Sequence, residues 1–385
     1  MKALILVGGF GTRLRPLTFT KPKPLVEFCN MPIVEHQVKA LADAGVDHIV
    51  LAVGFRPEQM LDALKVMEEK YKIKISVSIE NEPMGTAGPL RLAKDLIMDP
   101  SDSSDSLFVF NSDVICDFPL REMKAFHVQN DAEATIVVTR VKDPSKFGVV
   151  VHDASGKVDR FVEKPTEWVG DCINAGLYIL KKKVIDRIQP KPTSIERETF
   201  PSIAAEGGLF CMTLEGYWAD VGQPKDFLAA VKLYLEAETK KGGNSPMSGG
   251  SPHVASPLSV TTQCTHPHSD RADFIHPVLI DPTAKVGEGG KIGPNVVIGP
   301  NCEVGDGVRL RDTCLLEGAV VGNHSCVTNS IVAWGARIGS WVRVDDNSVI
   351  GEGVSVAHEV YLHNTLVLPH KDVKETNREP SKIIM

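Results

Sequence analysis

Between Gly8 and Leu25 the chain reads Gly8-Gly9-Phe10-Gly11-Thr12-Arg13-Leu14-Arg15-Pro16-Leu17-Thr18, then, after two residues, Lys21-Pro22-Lys23-Pro24-Leu25. Three glycines let backbone approach an anion closely and aim amide N–H groups at its oxygens. A GGxG sequence alone is equally a tight turn, so the phosphate-binding inference rests on the arginines and lysines that follow. Attack at phosphorus concentrates negative charge on nonbridging and leaving oxygens, and fixed cations stabilise it. Two aspartates suggest a second chemistry. Asp113 ends the run Leu107-Phe108-Val109-Phe110-Asn111-Ser112, and Asp220 lies in Trp218-Ala219-Asp220-Val221-Gly222. A carboxylate at the end of a strand in an open α/β sheet is where ligands bind, although Asp also caps turns there. As a pair, the two carboxylates suit Mg²⁺, a hard cation that bridges phosphate oxygens.

The elements needed to position these residues are read from the alternation of strand-like and helix-like segments in the first two thirds. Residues 3 to 7 are a strand. Asn30 is expected to cap a helix with Pro32 in its first turn, Val34, Val38 and Leu41 on its apolar face and Gly45 near its end. A strand at Ile49 to Val53 follows, then a helix around Met60, Leu64 and Met67, then the alternating run Ile73 to Ile79. The order predicts a Rossmann-like, mixed and mainly parallel sheet.

From about Lys240 to Asp273 the chain is rich in Gly, Ser, Pro and His, a composition that buries too little apolar surface to repay ordering. It is read as a linker. Beyond it a six-residue period runs through Ile280, Val286, Ile292, Ile298, Val304, Leu310 and Leu316. After a phase slip it resumes at Val332, Ile338, Val344, Ile350, Val356, Leu362 and Leu368. This is the hexapeptide repeat of a parallel β-helix, one aliphatic residue per flat face. The predicted domains are 1–240, catalytic; 241–273, linker; and 274–385, a left-handed hexapeptide-repeat β-helix.

The 385 residues carry 49 acidic and 42 basic side chains, a formal charge of -7, without the basic blocks of a nucleic-acid binder. The apolar run after Lys2 is too short for a secretory h-region, and no stretch approaches a membrane span. A cytoplasmic enzyme with neither nucleic-acid nor membrane partner is expected. Cysteines at 29, 116, 172, 211, 264, 302, 314 and 326 form no C-x-x-C pair and are read as reduced thiols. Cys264-Thr265-His266-Pro267-His268 lacks a second half-site for zinc.

The extended signature, GGxGTRLxPLT followed by KPKPL, resembles the nucleotidyltransferases that activate sugar 1-phosphates. The segments Glu82 to Leu90, Phe147 to Val150, Phe161 to Pro165, Ile173 to Tyr178 and Pro192 to Glu196 are similar to the catalytic β-type subunits of the mannose-1-phosphate guanylyltransferases. With the hexapeptide region, the resemblance covers nearly the whole chain outside the linker. It implies that Leu6, Gly8, Gly9, Gly11, Thr12, Arg13, Lys23 and Asp113 bind the nucleotide, with Gly85 and Thr86 at the purine. Gly148, Glu163, Lys164 and Asn174 then bind the sugar phosphate, and Asp113 and Asp220 hold Mg²⁺; Arg13, Lys23 and Lys164 are the catalytic cations. Arg15 and Lys21 match less diagnostic positions and are as well read as a solvated basic face.

The implied reaction is GTP plus α-D-mannose 1-phosphate to GDP-mannose plus diphosphate. It proceeds by in-line attack of the sugar phosphate on the α-phosphorus, without a general base because that phosphate is already ionised. The family resemblance further implies a homo-oligomer, or a hetero-oligomer with an α-type regulatory subunit. The alternatives are another sugar-1-phosphate nucleotidyltransferase or a noncatalytic regulatory subunit of the same architecture. An uninterrupted Gly8 to Thr12 loop and the presence of Arg13, Lys23, Asp113, Lys164 and Asp220 argue against the regulatory subunit. An acyltransferase using His324 or His358 finds no supporting residues around either.

Overall fold

The computed structural model of the protein describes residues 1–54, 57–99, 102–243 and 272–385. Residues 244–271, with the Cys264, His266 and His268 group and most of the predicted linker, lie outside them. Packing divides the chain into two compact units that do not follow chain order. One is Met1–Phe10 with Ile33–Trp218; the other is Gly11–Pro32 with Ala219–Met385.

In the first unit the strand Lys2–Val7 is buried at every position. It lies in parallel register between His48–Val53 and Ser106–Asn111, so that Leu6 faces Ala52 on one side and Asn111 on the other. Lys74–Ile79 extends this parallel part. Cys172–Lys181 then runs antiparallel to Ser106–Asn111 and pairs with Ala134–Arg140 and Gly148–His152. Val158–Glu163 is antiparallel to Gly148–His152, and Leu209–Thr213 is parallel to Ala134–Arg140. The result is a nine-stranded mixed sheet with a parallel centre. Central strands covered on both faces need continuous apolar runs, which is why Leu4, Ile5 and Leu107 to Phe110 show no polar alternation. The helices Ile33–Asp43 and Leu61–Tyr71 pack on each other, with Val34, Val38, Leu41, Leu64 and Met67 buried.

Asn30 does not cap the helix Ile33–Asp43. Cys29 and Asn30 have φ of 49° and 64° between the paired strands Glu27–Phe28 and Met31–Pro32. Two consecutive positive φ values are what a two-residue hairpin turn of the primed kind requires, and Asn tolerates them. That hairpin belongs to the second unit, where Asn30 Nδ2 donates to the Ile298 carbonyl at 3.1 Å. Phe28, fully buried, meets Phe227 and Tyr234 of the helix Pro224–Gly243 edge-on at 5.4 and 5.6 Å.

Residues 272–385 of the second unit form a parallel β-helix whose short strands stack into three parallel sheets of six, seven and six strands. Ile280 pairs with Ile298, Val286 with Val304 and Ile292 with Leu310, one coil apart. The next coil is shorter: Ile298 pairs with Leu315. Leu315 and Val367 therefore take the inward places that the six-residue period assigns to Leu316 and Leu368. A one-residue contraction at one corner shifts which neighbour points inward without breaking the ladder. Among the described residues no helix is long and apolar enough to cross a membrane.

Candidate active site

The predicted site residues fall in both compact units. In the first, Leu6 is buried on the central strand and its carbonyl accepts from the Ser112 amide at 3.2 Å. Gly8 and Gly9 follow in open space, Gly9 with φ of 82°. Asp113 is half-buried in the turn between Ser106–Asn111 and Val114–Cys116. Gln37, fully buried in the helix Ile33–Asp43, donates through Nε2 to the carbonyls of Asn111 and Val114 at 2.8 and 3.0 Å. It clamps both sides of the turn that carries Asp113. Sequence reasoning passed over Gln37; its only signal is a neutral polar residue on an otherwise apolar helix face.

The Gly85 loop is held from two ends. Glu80, buried just beyond Lys74–Ile79, accepts from the Met84 amide at 3.2 Å; burial raises its carboxyl above the ordinary range, and the Met84 amide pulls the other way. Gly85, at φ 72°, forms a parallel bridge with Thr193 and leaves no space for a Cβ against the Thr193 backbone. The Thr86 hydroxyl donates to Glu196 Oε2 at 2.5 Å and accepts from the Ile195 amide at 2.9 Å. The segment Thr193 to Glu196 is thus the frame of the Gly85 loop, and the Thr86 side chain is engaged with that frame.

Gly148 and Glu163 are direct partners across Gly148–His152 and Val158–Glu163. A Cβ on Gly148 would come 2.5 Å from Phe161 Cζ and 2.8 Å from Glu163 Oε2, so the carboxylate lies directly over the bare Cα. Lys164, exposed and at φ 49°, brings Nζ to 3.4 Å from Glu163 Oε1. Asn174 is half-buried: its Oδ1 accepts from the Gly176 amide at 2.9 Å and its Nδ2 donates to Tyr178 Oη at 2.7 Å. Burial pushes the Tyr178 phenol far above its usual range, so it stays a hydroxyl at neutral pH. Gly148, Glu163 and Lys164 lie together, a carboxylate and an ammonium beside a bare Cα, and groups of these types can bond hydroxyls and phosphates.

In the second unit Gly11, at φ 60°, starts the short turn Thr12–Leu14, its carbonyl accepting from Thr18 Oγ1 at 2.8 Å. A Cβ there would meet Lys23 Cβ and Thr18 Cγ2 at 3.1 Å, so Lys23 packs directly against the turn. The first amides of such a turn have no partner within it, which suits an anion. Arg13 is exposed, and Arg15 stacks its guanidinium 4.6 Å from the Phe19 ring centroid. Gly222 was not singled out beforehand. A Cβ on it would lie 3.1 Å from Asp220 Oδ1 and 3.4 Å from Arg13 Nη2. A carboxylate and a guanidinium therefore meet over a Cα that bears no side chain.

The nucleotidyl transferase family model matches residues 2–237, and that of the GMPPB C-terminal domain matches 274–384. Mannose-1-phosphate guanyltransferases of Hypocrea jecorina and Yarrowia lipolytica are 51% and 50% identical to this chain, and mannose-1-phosphate guanylyltransferase 1 of Arabidopsis thaliana is 47% identical, each over 100% of both chains. The chain belongs to the mannose-1-phosphate guanylyltransferase family. Among solved structures, a putative glucose-1-phosphate thymidylyltransferase from Bacillus anthracis matches with TM-score 0.52 at 22% identity, covering 66% of this chain and 98% of that one. HddC from Yersinia pseudotuberculosis matches with TM-score 0.50 at 29% identity, covering 62% and 99%. Both likenesses confirm the nucleotidyltransferase fold. Enzymes of the family generally use a divalent metal.

Proposed function

We propose that the chain transfers GMP from GTP to α-D-mannose 1-phosphate, forming GDP-mannose and releasing diphosphate. A phosphate oxygen of the sugar phosphate forms a bond to the α-phosphorus of GTP. The bond from that phosphorus to the β-phosphate oxygen breaks, and its electron pair leaves on diphosphate. With a second pKa near ~6, the sugar phosphate arrives ionised and needs no base.

The observation that carries this reading is the meeting of Asp220 and Arg13 over Gly222. An anionic oxygen donor and a cation brought together over a residue with no side chain of its own suit a metal-bound phosphate. Mg²⁺ is the ion the hard donors suit; Asp220 and Asp113 would hold it, and it would offset phosphate charge and orient the reacting groups. Arg13 and Lys23 stabilise the departing diphosphate, and the amides of Gly8, Gly9, Gly11 and Thr12 bind its oxygens, with Leu6 at the base of the loop. The backbone at Gly85 and Thr86 reads the guanine. Lys164 holds the sugar phosphate, and Glu163, Asn174 and the bare Cα of Gly148 recognise the hydroxyls. We assign the chain to the cytoplasm, as a homo-oligomer or with an α-type regulatory partner, and read 1–240, 241–273 and 274–385 as its chain-order regions.

Diphosphate release with Mg²⁺, measured for GTP, ATP, UTP and dTTP against mannose 1-phosphate and glucose 1-phosphate, tests this. GTP with mannose 1-phosphate should give the highest kcat/KM. Preference for another nucleotide would overturn the assignment.

A further inference from the structure

Lys21, Glu27 and Trp334 make a closed set of contacts that the reaction above does not use. Trp334 sits in the β-helix between Ile331–Val332 and Arg337–Ile338 and is 8% exposed. Its indole N–H donates to Glu27 Oε2 at 2.7 Å. Lys21 Nζ donates to Glu27 Oε1 at 2.6 Å and lies 4.3 Å from the Trp334 ring centroid. Lys21 is therefore no solvated cation: its charge is paired to a carboxylate and set over an aromatic face. Charge-assisted hydrogen bonds are roughly twice as strong as neutral ones, and the ring adds cation–π attraction.

Lys21 and Glu27 bracket Lys23. Between them Lys23–Leu25 is a single short turn closed by Leu25 N–H to Pro22 O at 2.9 Å and Val26 N–H to Lys23 O at 3.1 Å. Pro22 and Pro24 fix φ on either side of Lys23 and leave that backbone little freedom of its own. Where Lys23 stands thus follows from where Lys21 and Glu27 are held. Nearby, the Asn30 bond to Ile298 seats the same hairpin on another coil.

We propose that Trp334 is a positioning residue for nucleotide binding: through Glu27 and Lys21, the β-helix fixes the segment that presents Lys23 to the triphosphate. This rests on the reading of Lys23 given under the proposed function. The test uses the full chain with Trp334→Ala, Trp334→Phe, which keeps a ring but removes the donor, and Lys21→Arg, which keeps the charge. Hydrogen exchange is followed at Lys23 to Phe28 together with KM for each substrate.

In Trp334→Ala, exchange at Lys23 to Phe28 and KM for GTP should each rise about tenfold, while KM for mannose 1-phosphate stays within about twofold. Trp334→Phe should fall between, and Lys21→Arg near wild type. Unchanged exchange at Lys23 to Phe28, or equal rises in both KM values, overturns the proposal. Should Trp334→Ala unfold the coils, seen as exchange at Ile350 to Val367, the same criteria apply to Trp334→Phe. Should the wild type prefer another nucleotide, the proposed function fails, and exchange with that nucleotide's KM decides the positioning role.

Discussion

Gly148 has no room for a methyl group, and the atoms that exclude it are the ones it helps to place. A Cβ 2.5 Å from Phe161 Cζ and 2.8 Å from Glu163 Oε2 must displace one of them. Phe161 is buried, with its ring centroid 5.9 Å from that of Phe200, so it yields only at a cost. Gly148→Ala should lower stability by about 1–3 kcal/mol, the usual cost of overpacking. It should also raise KM for mannose 1-phosphate more than KM for GTP. Thermal unfolding and steady-state kinetics check both, and a variant unchanged in sugar-phosphate KM would separate Glu163 from the sugar. Gly148 is reached from sequence only through the family resemblance, and Gly222 not at all. What matters at Gly222 is crowding by Arg13, more than two hundred positions earlier, and no local pattern records it. Gln37 is invisible for a similar reason: a buried amide is explained only by the two carbonyls it reaches.

At the scale of elements, most of the parallel centre was legible because strands covered on both faces must be continuously apolar. The Asn30 cap failed because Asn serves a helix start and a positive-φ turn equally well. Only the pairing of Glu27–Phe28 with Met31–Pro32 decides between them. The helix Leu120–Gln129 is tied to the sheet by His127, whose Nδ1 is 2.8 Å from Thr135 Oγ1 and whose Nε2 is 3.3 Å from Ser106 Oγ. Burial, helped by the charge of Lys181, lowers its pKa from 6.5 to about 4. A folded pKa below the unfolded one means that the unfolded chain binds the extra proton. The contribution of His127 is therefore complete above pH 6.5 and lost as pH falls through about 4. Thermal unfolding of wild type and His127→Gln over this range should show the wild type losing its advantage as the pH falls. A constant difference between the two would contradict the shifted pKa.

At the scale of the molecule, chain order and packing part company. Composition divides the chain near 240 and 273, whereas contacts group Gly11–Pro32 with Ala219–Met385. The signature segment packs with elements far along the chain because its hairpin buries Phe28 against Phe227 and Tyr234 and bonds to Ile298. Each contact is long-range and leaves no periodicity to read. The β-helix itself was legible down to its phase slip, but the inward residues Leu315 and Val367 were not, since neighbouring leucines fit the period as well.

The central claim is that a phosphate oxygen of the sugar phosphate attacks the α-phosphorus of GTP. Mannose 1-phosphate carrying ¹⁸O in its three nonbridging phosphate oxygens tests it directly by mass spectrometry of both products. All the label should appear in GDP-mannose and none in diphosphate. Label in the released diphosphate would place the attack elsewhere and contradict the account.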